Sequence, residues 1–348
     1  MLLASLICNV PIFLDGITVD VYADPIKLFG VEVKAVQVLN SFVFFNLCWR
    51  KSEKILHFAN FSSSNFLCGS KRKFSYGFIS ILPLLLDVLL MDQFWDYVSF
   101  SAQGDWNLYL YEIATLVGYV ASVLLTNFID TFITILALSG YNMVRKCSAS
   151  LEELKKWDVA QKQWKQGDFS CLIDIAKKLQ HFFTTLNSLG SSVILNWFCM
   201  CVPWVSYKLV GGFPGSGTEL VGESVLTLLT TVDKQVIGLI YYWSFIGLYL
   251  GIMVLCSEIR RECDNIKREM KRIILQYDPK LRKGKAALCH VEHALENVGI
   301  HGGFFFNFSY SFLGSAAGLI VAYAFLALQL RLNCCGSENL DIRRPLII

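Results

Sequence analysis

Gly302 to Leu330 reads GGFFFNFSYSFLGSAAGLIVAYAFLALQL, without a single Asp, Glu, Lys or Arg. Wound as a helix at about 1.5 Å per residue, it exceeds the ~30 Å needed to cross the hydrocarbon core of a bilayer. Gln235–Ser257 is also uncharged, and so is Gln180–Tyr207, whose apolar density begins at Ser188. Phe74–Phe100 carries Asp87 and Asp92, and Leu108–Gly140 carries Glu112 and Asp130. Ala35–Trp49 is short but apolar, and Met1–Leu14 is apolar without a basic flank. The latter reads as a signal-peptide remnant or as a first span, and topology favours the span. Over the whole chain of 348 residues, 54% are hydrophobic, 17% are charged and the mean hydropathy is +0.48. That apolar content exceeds what one soluble core hides, which makes the bilayer the expected solvent.

The basic residues orient these spans. Arg50–Lys73 holds six Lys and Arg, Arg145–Lys178 eight and Arg260–Lys285 ten. The alternate segments are poor: two in Asp15–Lys34, none in Ser101–Asn107, none in Gly211–Asp233 and three after Leu330. The positive-inside rule puts the rich segments, which follow spans two, four and six, in the cytoplasm. The expected fold is therefore an all-α, polytopic membrane bundle of seven transmembrane helices. Its N-terminus is cytoplasmic and its C-terminus extracellular. The spans fall at about 1–14, 35–49, 74–100, 108–140, 188–207, 235–257 and 302–330. A rhodopsin-like receptor has the opposite orientation, and the chain also lacks its Asp-Arg-Tyr and Asn-Pro-x-x-Tyr signatures.

Between the spans lie narrow apolar seams. Leu172, Ile175, Leu179, Phe182 and Leu186 recur at spacings of three and four. So do Ile259, Cys263, Ile266, Met270, Ile273 and Tyr277, and again Leu288, Val291, Leu295 and Val298. Such stripes belong to helices packed side by side. Spans four, five and six are expected to continue below the membrane, giving cytoplasmic anchor helices over about 145–187 and 258–300. They pack within one subunit or also between subunits. Pro279 and Gly284 are expected to break the chain between the last two stripes.

The end of the last span carries a resemblance. Gly302-Gly303-Phe304-Phe305-Phe306 leads in, and Tyr323 is followed by five apolar residues and Gln329. This resembles the C-terminus of the insect gustatory receptors, in the wider gustatory and odorant receptor superfamily. That family has a Gly-Phe-Phe lead-in and then Thr-Tyr, five hydrophobic residues, Gln and Phe. Here Ala322 replaces the Thr and Leu330 the Phe, and the close match covers some 45 residues. The resemblance implies a ligand-gated, nonselective cation channel of four subunits, homomeric or heteromeric, at the plasma membrane. It implies that the last helices line the pore and the cytoplasmic helices join the subunits. It also implies a small organic ligand, a sugar or a bitter-type compound, in a pocket on the extracellular side. The chain runs 18 residues past Leu330, where members of the family usually stop.

Read physically, Gln329 is a polar group near the outer end of an apolar helix. It makes either an interhelical hydrogen bond or, in four copies, a ring of amide dipoles that solvates a cation. Ala322, Phe325, Leu326 and Gln329 share a helix face, and Leu330 completes the pore set. Leu326 lies one turn inside Gln329, where an apolar ring can gate by dewetting. Tyr323 points partly away and braces the helix. Gly314, Ser315, Ala316, Ala317 and Gly318 permit close helix approach or a wide vestibule.

For the ligand pocket the candidates are Trp95, Tyr119, Trp204, Tyr207, Tyr241, Tyr242 and Trp243. Aromatic rings with polar tips suit a small organic ligand, and they equally form the interfacial belt of any membrane protein. Asp87 at mid-span and Glu112 are acids in a costly place, which motivates an alternative, a secondary transporter using carboxylates; a non-conducting receptor or scaffold is the third possibility. No internal repeat or pair of broken spans supports a transporter. Enzyme motifs, cofactor motifs and nucleic-acid signals are absent from the sequence. His290 and His293 stand three apart without a third metal ligand, so no metal is expected. The twelve Cys read as buried or reduced thiols. Neither Asn60-Phe-Ser62 nor Asn307-Phe-Ser309 is expected to carry a glycan.

Overall fold

The computed structural model describes the backbone of residues 43–44, 46–47, 49–55, 106–211, 225–280 and 283–341. Side chains are described within these segments except at 106–127, 204, 207–242, 244–245, 327 and 330–341. The expected spans 1–14 and 74–100 lie outside the described residues.

From Trp106 on, the described residues form six helices and one hairpin. They are α1 Trp106–Lys156, α2 Asp158–Lys165, α3 Ser170–Gly211, α4 Val225–Tyr277, α5 Gly284–Ala294, β1 His301–Gly302, β2 Phe306–Asn307 and α6 Tyr310–Asp341. Helices α1, α3 and α4 have 51, 42 and 53 residues. At about 1.5 Å per residue the longest reaches roughly 80 Å, more than twice a ~30 Å hydrocarbon core. Each joins an apolar stretch to a charged one without a break, α3 entering from the charged side. Among the described residues, Ser170–Pro203 is long and apolar enough to cross a membrane, and Tyr310–Leu326 is a shorter apolar stretch.

The seams are the core. Leu172, Leu179 and Leu186 on α3 have no exposed surface, and neither have Ile259 and Met270 on α4 or Val291 on α5. Ile175, Phe182, Cys263, Ile266, Ile273, Leu295 and Val298 are buried with them. Fully burying a Leu or Ile side chain contributes about 1.5–3 kcal/mol, so these stripes bind the long helices together. Helix α3 is the hub, packing on α1, α5, the hairpin and α6. Close approach to α1 needs Gly190, because a Cβ there would lie 2.5 Å from Leu136 Cδ1.

Local signals set the helix ends. The Asp168 carboxylate accepts the Ser170 N–H at 3.0 Å at the start of α3, which holds its pKa below the usual carboxylate range. Asp278 accepts the Lys283 and Gly284 N–H groups at 2.7 and 2.6 Å and so caps α5. Chain breakage between α4 and α5 falls around Pro279, as expected. Gly284 itself opens α5 rather than breaking the chain, and an added Cβ would meet Ile274 Cγ2 at 2.8 Å.

The last helix differs from the expected span 302–330 at both ends. Residues 301–307 form an antiparallel hairpin, with Gly302 opposite Phe306. Ser309 then caps α6, its Oγ accepting the Phe312 N–H at 3.1 Å. The helix continues past Leu330 to Asp341.

Candidate functional site

The hairpin leading into α6 is a rigid strap. Asn187 on α3 donates its Nδ2 to the Gly299 carbonyl at 2.8 Å, and its Oδ1 accepts the His301 N–H at 3.1 Å. The Gly303 N–H donates to the Ser191 carbonyl at 3.0 Å. From α4, Arg260 donates to the carbonyls of Val298 at 2.6 Å and Glu296 at 3.3 Å and pairs with Asp264. Past the hairpin, Tyr310 donates its hydroxyl to Glu258 at 2.6 Å, and Glu258 also pairs with Arg261.

The two glycines have separate reasons. Gly303 sits at φ +62°, the left-handed region that the tight turn needs. Gly302 clears space, since a Cβ there would lie 2.1 Å from the Phe306 ring. Phe306 thereby folds inward, stacking on Phe312 at 4.4 Å between ring centres and packing on Phe198 and Phe308.

Helix α6 has one narrow buried face. Ala316 and Ile320 are buried, and Phe312, Leu313 and Tyr323 pack partly against the core. The Ser206 hydroxyl of α3 lies 3.1 Å from the Ile320 carbonyl and 2.7 Å from that of Val202. Pro203 cannot donate to the Cys199 carbonyl, so α3 carries its backbone irregularity beside this contact. Most of the other described side chains of α6 are uncovered. Val321 is 65% exposed, Phe325 59% and Leu326 49%, and Ala322 and Gln329 share the exposure. Gly314 and Gly318 have open space where a Cβ would stand. An apolar face of this extent marks a surface covered by lipid or protein.

A buried acid ties three long helices together. Asp130 of α1 is 1% exposed. Its Oδ1 accepts the Trp197 Nε1–H of α3 at 2.7 Å, and its Oδ2 lies 3.4 Å from the Tyr249 hydroxyl of α4. The Trp197 and Tyr249 rings meet edge to face at 5.5 Å. Asp130 stands out in the sequence as an acid within a span. Its two partners carry no such mark, because apolar segments are full of aromatic residues.

The other candidates fall on several helices. Trp243 on α4 is 59% exposed. Glu112 and Tyr119 lie on α1, Trp204 and Tyr207 on α3, Tyr241 and Tyr242 on α4 and Leu330 on α6, with side chains outside the described residues. Asp87 and Trp95 lie wholly outside them. A cleft of about 600 Å³ between α1 and α4 is lined by charged groups, among them Lys155, Glu269 and Arg272, rather than by aromatic rings. His290 and His293 are exposed on α5, and among the described residues no three metal-ligating side chains cluster. Of the described cysteines, Cys147, Cys201, Cys256 and Cys263 are buried, and burial pushes the thiols of Cys147 and Cys263 up to about 11 and about 12.

By sequence, no protein family and no curated protein matches the chain. By structure, it is similar to the insect olfactory receptor OR5 from Machilis hrabei. The two share 15% identity and a TM-score of 0.64, over 94% of this chain and 87% of that one. The same receptor in complex with eugenol matches at 16% identity and a TM-score of 0.60, with the same coverage. The chain thus shares the fold of that olfactory receptor.

Proposed function

We propose that this chain is one subunit of a ligand-gated, nonselective cation channel for small-molecule chemosensation, of gustatory-receptor type. Four subunits, identical or related, place their last helices around a shared pore in the plasma membrane. The observation that carries this reading is the olfactory-receptor fold shared over 94% of the chain. The uncovered apolar face of α6 supports it, since a helix buried on one side only needs further surroundings.

In the open pore, four Gln329 amides solvate a cation without holding it tightly. One turn inward, Leu326, beside Phe325 and Ala322, forms the apolar ring that dewets when closed. Tyr323 braces α6 against its own subunit, and Leu330 completes the outer rim. The ligand is a small organic molecule, a sugar or a bitter-type compound. The comparison receptor with eugenol supports that ligand class. Trp95, Tyr119, Trp204, Tyr207, Tyr241, Tyr242 and Trp243 are the candidate pocket. Separately, Asp87 and Glu112 are candidate polar groups within the membrane.

The test is electrophysiology on the full chain. Gln329→Ala is expected to change relative cation permeability several-fold while surface expression and the tetramer persist. Unchanged permeation would remove Gln329 from the pore. A monomer without current would remove the channel.

A further inference from the structure

We propose that the hairpin tip is a lipid-docking wedge. Phe304 and Phe305 enter the cytoplasmic leaflet at the glycerol level, and the Lys51 ammonium beside them takes the phosphate of an anionic phospholipid. The inference rests on the membrane reading above and gives the Gly-Phe-Phe motif a task the pore does not use.

Phe304 is 106% exposed and Phe305 80%, the two most exposed large apolar side chains among the described residues. Their exposure is fixed by the backbone. Gly303 at φ +62° makes the turn, and Phe306 folds inward only because Gly302 has no Cβ. Asn187, Ser191 and Arg260 hold the strap in place. The tip therefore presents two rings outward on a rigid support.

Its level is set by α3. Gly303 bonds the Ser191 carbonyl, an added Cβ on Gly303 would lie 3.2 Å from Leu195 Cδ2, and Phe306 packs on Phe198. The hairpin thus runs beside residues 191–198, the first turns of the apolar run that begins at Ser188. Lys51 donates to the Ser188 carbonyl, one helical turn toward the cytoplasm on the same face as Ser191. An ammonium has three donors, so two remain for a phosphate. A cation at the headgroup level with aromatic rings one turn deeper is the order of a bilayer interface. That order favours lipid over a second copy of the chain as the occupant.

The test places a photoreactive p-benzoylphenylalanine at position 304 of the full chain, in nanodiscs of phosphatidylcholine and phosphatidylserine. Irradiation is expected to give phospholipid adducts, with phosphatidylserine over-represented relative to its share in the disc. Lys51→Gln is expected to abolish that preference. Cross-linked dimers of the chain in place of lipid adducts would assign the tip to a second copy and overturn the proposal, as would protein recovered without any adduct. A preference that survives Lys51→Gln would overturn the phosphate contact. Alkaline washing of membranes holding the unlabelled chain separates the two readings. Release into the wash sinks the membrane reading, whereas retention without lipid adducts at 304 sinks the wedge alone.

Discussion

Asp130 and Trp197 test what a buried polar group does in this bundle. A hydrogen bond contributes about 0.5–1.5 kcal/mol net, and leaving a buried polar group unsatisfied costs about 1–3 kcal/mol. Asp130→Asn keeps an oxygen 2.7 Å from the Trp197 Nε1–H, so it is expected to lower the melting point only slightly. Trp197→Phe removes the donor, leaves the carboxylate and empties space beside Tyr249. It is expected to destabilise the chain by about 2–4 kcal/mol, from the unsatisfied acceptor and the cavity together. Melting followed by size exclusion in detergent compares the two variants. Equal melting points would show that Asp130 does not depend on Trp197. At this scale an acid in an apolar run was readable, but its partners were not. Trp197 is 67 residues distant, and nothing in a linear sequence marks which of several tryptophans will face a carboxylate.

At the scale of elements, the seams were legible because a helix repeats every 3.6 residues and a stripe survives charged neighbours. The strap was not. Gly302–Leu330 has no charge to interrupt it, so composition extends a span over residues that fold as a hairpin. The missed signals were Ser309, a capping residue three before Phe312, and the paired glycines ahead of three rings. Gly302→Ala is expected to displace Phe306 from Phe312 and to destabilise the strap by about 1–3 kcal/mol, the range for overpacking. Faster hydrogen exchange over residues 299–308 would report it, and unchanged exchange would refute it. His301 predicts a pH dependence of the same segment. Burial holds its imidazole below the ordinary histidine range, with Arg260 adding to the effect and the Asn297 carbonyl opposing it. The folded strap therefore favours the neutral ring. Its stabilisation is complete above the unfolded pKa of about 6.5 and is lost as pH falls through the lower folded value. Protection of the strap is expected to decline on acidification, and His301→Gln is expected to flatten that decline. A decline of equal size in the variant would place its origin elsewhere.

In the whole molecule, α4 meets the buried acid through Tyr249 and the last helix through Glu258, and α3 meets both as well. Through Trp197 it holds α1 and α4, and through Ser206, Phe198 and the strap it holds α6. On the proposed channel, a shift of α1 or α4 against α3 thus has a direct route to α6. A helix buried along one stripe can tilt or rotate while the seams below stay packed. The consequence belongs to Leu326, on the uncovered side of α6. Four leucines facing one another expel water from a narrow pore, and a polar replacement admits it without any movement of the helix. Leu326→Asn is therefore expected to raise the current without ligand several-fold, with little change in the amount of tetramer at the surface. Whole-cell recording beside surface labelling measures both quantities. A closed state as tight as that of the parent chain would move the constriction away from Leu326, whereas loss of surface tetramer would mean that the residue serves subunit packing instead. Leu326→Ile, apolar and close in volume, separates these outcomes further. It is expected to keep the pore shut at rest, because the barrier depends on the ring being dry rather than on the branching of its side chain.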